Sequence, residues 1–199
     1  PPNCPAASIW SRVWPLFLRC SARFCSMIVI SAGLKPMALN CPIETASFVD
    51  TEDPQWTFFL LYERRGRGSE EQRFATVGFL SLYNYYAYPD KVRSRVSQVL
   101  VLPTYQRCGH GAELLESVYR DAAQNPRLVD VTAESPSPDY VKVRDYVTTK
   151  MCCRLPAFQD RVALLQGGGF TAEMAAEALR KLKIPRLQSR RCYEILRLH

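Results

Sequence analysis

The segment VLVLPTYQRCGHGAELLESVY, residues 99–119, constrains the fold more than any other part of the chain. Its aliphatic start continues RVSQ into a strand over 95–102, and Pro103 stops that strand. Gln106-x-x-Gly109-x-Gly111 then leads into a pattern of helical period. Leu115, Val118, Tyr119 and Ala122 fall on one stripe, so 112–124 is expected to be an amphipathic helix ended by Asn125 and Pro126. Strand, glycine loop and helix in this order suit anion binding. Glycines let the backbone approach closely, and the N–H groups that open a helix have no carbonyl behind them and lie at its positive end. The chain has no GxxxxGK followed by Ser or Thr, no lysine in this loop and no third glycine of a dinucleotide fingerprint. Taken alone, the two glycines also fit a plain loop before a helix.

Around this unit the texture alternates. Residues 56–63 (WTFFLLYE) and 74–86 (FATVGFLSLYNYY) are aromatic and β-preferring, and the charged, glycine-containing 64–73 between them reads as a hairpin loop. A further short strand, 128–134 (LVDVTAE), is closed by the proline-bearing 135–138. Helical patterns follow over 140–153, 171–183 and 189–198, with Pro185 between the last two. Strands interleaved with helices place the chain in the α/β (α+β) class, with a mixed, mainly antiparallel sheet flanked by helices. Residues 1–42 hold Pro1, Pro2, Pro5, Pro15, Pro36 and Pro42 and keep no sustained period. They are expected to be an unstructured or non-native leader outside the core. Residues 43–185 then form the main domain, and 186–199 the start of a truncated C-terminal helical region.

Charge and cysteine usage narrow the function. The net charge is +7, from 26 basic and 19 acidic residues, but Arg12, Arg19, Arg23 and Lys35 precede the first acidic residue. Without these four, 22 basic residues face 19 acidic ones, a mild excess that gives little support to direct nucleic-acid binding. No CxxC pair occurs, and His110 and His199 are the two histidines, so no metal site is expected. The eight cysteines read as thiols in a reducing compartment rather than as a disulfide framework. The apolar run 24–34 is about half of the ~20 residues a spanning helix needs, so no membrane segment is expected.

With its neighbours, Gln106-x-x-Gly109-x-Gly111 resembles the pyrophosphate loop of the GNAT acetyltransferase superfamily. Seven strings, ETASF (44–48), ATVGF (75–79), YNYYAYPDK (83–91), RVSQ (95–98), GHGAELLE (109–116), TAESPS (132–137) and YEILRL (193–198), are similar in order to the catalytic subunit of type B histone acetyltransferases. The resemblance implies a GNAT-like acetyltransferase domain over 43–185 in a fragment or variant without the family's N-terminal domain. It implies transfer of acetyl from acetyl-CoA, without a metal, to the ε-amine of lysines in the tails of newly synthesised core histones. It further implies a WD-repeat histone chaperone subunit as partner, and residence in nucleus and cytoplasm.

The same resemblance distributes roles over residues. Val99, Leu100 and Val101 correspond to a strand that holds the pantetheine arm through backbone bonds. Gln106, Arg107, Cys108, Gly109, His110 and Gly111 correspond to the pyrophosphate loop, and Leu100 or Val101 N–H is the natural donor to a thioester oxygen gaining charge. A lysine amine has pKa ~10.4, so near pH ~7.4 about one in a thousand is neutral, a cost of about 4 kcal/mol that a positioned carboxylate helps supply. The family places glutamates at the positions of Glu134 and Glu44. Glu134, expected to be partly buried at the end of its strand, is the first choice of general base for direct attack, and Glu44 the second. Trp56, Tyr83, Asn84 and Tyr85 correspond to substrate-contacting positions, although tyrosines alternating on a strand are also an ordinary packed sheet face. His110 reads as loop filling, and Cys108 has no His or acid arranged beside it for a covalent route. Ser135 stands where the family has an acid, which leaves a catalytically impaired cofactor- or histone-binding fragment as the alternative.

Overall fold

The structure, a computed structural model, describes residues 25–31, 53–65, 73–159 and 169–198. Five strands, Cys25–Ser31 (β1), Trp56–Arg65 (β2), Arg73–Ala87 (β3), Lys91–Val101 (β4) and Leu128–Ala133 (β5), form one sheet in chain order. The first three borders are antiparallel and the last, β4 with β5, is parallel. The crossover that a parallel pair requires is the helix His110–Gln124 (α1), which follows β4 through the glycine loop. Helices Pro138–Cys152 (α2), Ala172–Leu182 (α3) and Arg186–Arg197 (α4) complete the mixed, mainly antiparallel sheet with flanking helices.

The core lies where α1 covers one face of the sheet. Leu114, Leu115, Val118 and Tyr119 are fully buried against Phe59, Leu61, Val77, Leu80, Leu82 and Val96. Each such aliphatic side chain removed from water contributes roughly 1.5–3 kcal/mol, which makes this contact the main anchor of the loop preceding α1. Ser137 caps α2, its hydroxyl accepting from Tyr140 N–H at 3.2 Å, with Pro138 in the first turn. Thr171 caps α3 in the same way, accepting from Met174 N–H at 3.2 Å.

Two expectations are corrected. Residues 1–42 do not lie wholly apart from the sheet, because Cys25–Ser31 pairs antiparallel with β2 as an edge strand. Within CSMIVIS the four central residues, Met27 to Ile30, are all apolar, so they carry no alternation by which a strand could be read, and the prolines around the segment mask its β-branched centre. The boundary expected at 186 also falls inside the helical layer. The α4 residues Arg191 and Gln188 bond the buried Asp145 of α2 at 2.7 and 2.9 Å, and Gln188 also reaches Thr148 at 3.0 Å. Cys192 and Tyr193 share the core with Val147 and Met151, so α4 belongs to the same packing unit as α2.

Candidate functional site

The candidate site exists because β4 and β5 part company. Their parallel register runs from Val92 opposite Leu128 to Val96 opposite Ala133, and the last bond is Glu134 N–H to Val96 O at 3.0 Å. β4 continues to Val101 and β5 does not. On β4, Ser97 is an extra residue relative to β3, since Ser81 faces Gln98 while Leu82 faces Val96, and such a bulge bends its strand. On the other side Ser135 turns the chain in the left-handed region (φ 39°), and Pro136 and Pro138 prevent further pairing. Between the diverging segments opens a cavity of about 340 Å³, lined by residues 96–100 and 133–137 with Phe79 and Tyr140.

Backbone alternation decides which groups face this cavity. Leu102 N–H donates to Val77 O at 2.9 Å, so Leu102 and, two residues back, Leu100 turn their N–H groups to β3. Val99 and Val101 therefore face the unpaired side. Consistent with this, Gln106 Nε2 donates to Val101 O at 3.0 Å. Of the two donors the sequence left open, Leu100 and Val101, it is Val101 whose N–H points away from β3.

The glycine loop continues the line of β4. Arg107 (φ 60°) and Gly109 (φ 90°) take left-handed backbone, and Gly109 caps α1. A Cβ added at Gly109 would meet nothing within 4 Å, and one at Gly111 only Val101 Cγ2 at 4.0 Å. Open space thus lies over the first N–H groups of α1, beside the end of β4. Gln106 and Arg107 are exposed, while Cys108 and His110 are half-buried. The His110 ring turns to Glu113, 3.1 Å away, and to the Tyr105 ring, which fits loop filling rather than proton transfer.

Glu134 is the one charged side chain among those lining the cavity. It is exposed at the mouth, not partly buried as expected, because β5 ends one residue earlier and the Ser135 turn swings it outward. Burial pushes the Tyr140 phenol up to about 12, so this wall stays neutral at ordinary pH. Ser135, in place of an acid, adds no second carboxylate.

Across the sheet, on the face that bears Glu134, runs an aromatic row. Trp56 of β2 faces Tyr83 of β3, Tyr83 faces Arg95 of β4, and Arg95 faces Thr132 of β5. The Trp56 and Tyr83 rings meet edge-on at 5.0 Å, as do those of Tyr83 and Tyr85 at 4.7 Å. Asn84 does not join them. By alternation it lies on the opposite face, where its amide donates to Thr57 Oγ1 at 2.9 Å and accepts from Ser94 Oγ at 2.6 Å, tying three strands together. Glu44 lies outside the described residues. The sequence reading missed Ser97, Phe79, Arg95 and Tyr140. The polar Ser97-Gln98 pair interrupting an apolar strand was the available signal for the bulge.

Residues 144–198 match the family described as histone acetyltransferase type B catalytic subunit, C-terminal. The chain is 51% identical over 156 residues to the histone acetyltransferase type B catalytic subunits of Homo sapiens and of Rattus norvegicus, a match covering 78% of this chain and 36% of each relative. It thus spans little more than a third of their length. Among solved structures, an aminoglycoside acetyltransferase from an uncultured soil metagenomic sample, in complex with trehalose, has a TM-score of 0.42 at 14% identity, covering 61% of this chain and 84% of that one. Over 78% of its length the chain is thus similar in sequence to a part of the catalytic subunits of type B histone acetyltransferases.

Proposed function

We propose that this chain carries the catalytic centre of a histone lysine acetyltransferase that uses acetyl-CoA and acts on the tails of newly synthesised core histones. The observation that carries the reading is the parting of β4 from β5. It sets an open strand edge and one carboxylate around a single cavity, and the glycine-bearing start of α1 lies beside the end of that strand, next to Val101. Acetyl-CoA supplies an activated acetyl thioester, and its shape fits the parts present. The N–H groups of Val99 and Val101 and the Val99 carbonyl, which face away from β3, offer an amide-bearing arm the bonds a neighbouring strand would make. The open space over Gly109 and Gly111 lets a pyrophosphate reach the N–H groups that start α1.

In this reading Val101 N–H donates to the carbonyl oxygen on which negative charge develops. Glu134 accepts the proton of the incoming ammonium, and Trp56, Tyr83 and Tyr85 seat the lysine's alkyl chain. Glu44 assists as a second carboxylate. A WD-repeat histone chaperone is the proposed partner, and nucleus and cytoplasm the proposed locations. The exposure of Glu134 and the Ser135 substitution favour one alternative, a chain that binds cofactor or histone tail but turns over poorly. Calorimetry with acetyl-CoA, followed by a turnover assay with a histone-tail peptide, separates the two. Binding with acetyl transfer is expected. Binding without transfer establishes the alternative, and no binding of either contradicts both.

A further inference from the structure

The chain's positive charge is gathered in one place. Of residues 180–197, seven are Lys or Arg and one, Glu194, is acidic, so this stretch carries +6 of the net +7 and the rest of the chain only +1. It comprises the end of α3 and the whole of α4. Lys181, Arg190 and Arg191 have carboxylate partners, Glu177, Glu194 and Asp145, at 2.7, 3.0 and 2.7 Å. Among the described residues, no carboxylate lies within ion-pair distance of Arg180, Lys183, Arg186 or Arg197. On α4, Arg186, Arg190, Tyr193 and Arg197 recur at helical spacing and form one stripe, opposite Gln188, which bonds α2. Beside the stripe lies a second cavity, of about 640 Å³, with Phe170, Leu187 and Tyr193 among its walls. Leu187 is 84% exposed, and no residue lining this cavity also lines the one between β4 and β5.

We propose that this stripe is a docking surface for an acidic segment of another protein, with an aliphatic side chain between its carboxylates that enters the cavity. Charge sets the sign of the partner. A lysine-bearing acceptor segment, the substrate proposed above, is repelled here, so the occupant is a different molecule. Spacing sets its length. Arg186 and Arg197 stand roughly 16 Å apart along the helix, a distance that an extended peptide covers in about five residues. An Asp or Glu at each end of such a segment meets a guanidinium that lacks a carboxylate of its own, and charge-assisted bonds of this kind are the stronger ones. The cavity walls decide against nucleic acid. Single strands are held by stacking bases on open aromatic faces, but Tyr193 is buried, with its ring 5.9 Å from that of the half-buried Phe170. Glu194, on the same side of α4, also opposes a run of phosphates. A leucine-sized side chain, by contrast, finds Phe170 and Leu187 to pack on.

The test follows the anisotropy of a fluorescein-labelled peptide, Gly-Glu-Glu-Leu-Leu-Glu-Glu-Gly, titrated with the chain at low salt. Two further probes are the same peptide with serine for both leucines and a thymidine oligonucleotide of equal charge. The leucine peptide should bind about fivefold more tightly than either, and its affinity should fall as salt is raised. Replacing both exposed ends of the stripe, Arg186→Glu with Arg197→Glu, should weaken it about tenfold, since attraction becomes repulsion. Should that chain fail to fold, Arg186→Gln with Arg197→Gln decides in its place, with a loss of about threefold. Leu187→Ser should bring the two peptides within about twofold of each other. An oligonucleotide bound as tightly as the leucine peptide would give the surface to nucleic acid and overturn the proposal. So would equal affinities for the two peptides in the unchanged chain, a leucine preference that survives Leu187→Ser, an affinity that the arginine variants leave unchanged, or no binding at all.

Discussion

The two borders of β4 differ in how completely they close. Against β3 the strand is paired along its whole length, from Lys91 opposite Ala87 to Val101 opposite Gly78. Against β5 it is paired only as far as Val96. A buried strand edge left unpaired is costly, because each backbone group loses its bond to water without gaining another. An edge left open beside a cavity is instead available to a ligand that carries amides of its own. The closed border fixes where the end of β4 lies, and the open border uses that position. Gly78 shows how tightly they are linked, since a Cβ at this position would run into the carbonyl oxygen of Leu100, on the strand that lines the cavity.

The largest effect should come from the open border. Glu134→Gln preserves shape but cannot accept a proton, so kcat should fall ~10²- to 10⁴-fold near neutral pH while acetyl-CoA binding stays unchanged. Raising the pH toward the lysine pKa should recover part of the loss, because the amine then arrives neutral. A variant with the parent's kcat and pH profile would move the base elsewhere, with Glu44 next to be tested.

Breaking the closed border should cost stability first. Gly78→Ala forces β3 away from Leu100, and urea unfolding should show a loss on the order of 2 kcal/mol, in the range of overpacked cores. Because the shift displaces the end of β4, acetyl-CoA affinity should fall with it. Full stability with full affinity would show that the two borders are independent.

A smaller and cleaner change sharpens the comparison. Gly111 takes ordinary helical backbone and has room above it, so Gly111→Val should fold with an unchanged Tm. Its branched side chain would nonetheless fill the space assigned to pyrophosphate, and calorimetry should register at least a tenfold weaker acetyl-CoA complex. Unaltered affinity in the folded variant would remove the glycine loop from the site.

The closed border was legible in the sequence and much of the open one was not. WTFFLLYE and FATVGFLSLYNYY announce β2 and β3 because aromatic and β-branched residues crowd both, and the stripe of Leu115, Val118 and Tyr119 announces α1. Such patterns are local. The parting of β4 from β5 depends on a bulge at Ser97 and a left-handed turn at Ser135, each a single-residue event that leaves hydrophobic period nearly untouched. Asn84 shows a second limit. The string YNYYAYPDK identifies a neighbourhood, yet strand alternation sends Asn84 to one face while Tyr83 and Tyr85 go to the other. β1 was illegible for the opposite reason, since its four central residues, Met27 to Ile30, are all apolar and show no alternation.

The most direct test follows the amides of β4 themselves. Residue-resolved hydrogen exchange on the chain with and without acetyl-CoA should find Leu100 and Leu102, which face β3, slow in both states. Val99 and Val101 should exchange readily in the free chain and slow at least tenfold when acetyl-CoA is added. Protection that appears elsewhere while Val99 and Val101 stay fast would contradict the account, because the open edge of β4 would then not be where the cofactor lies.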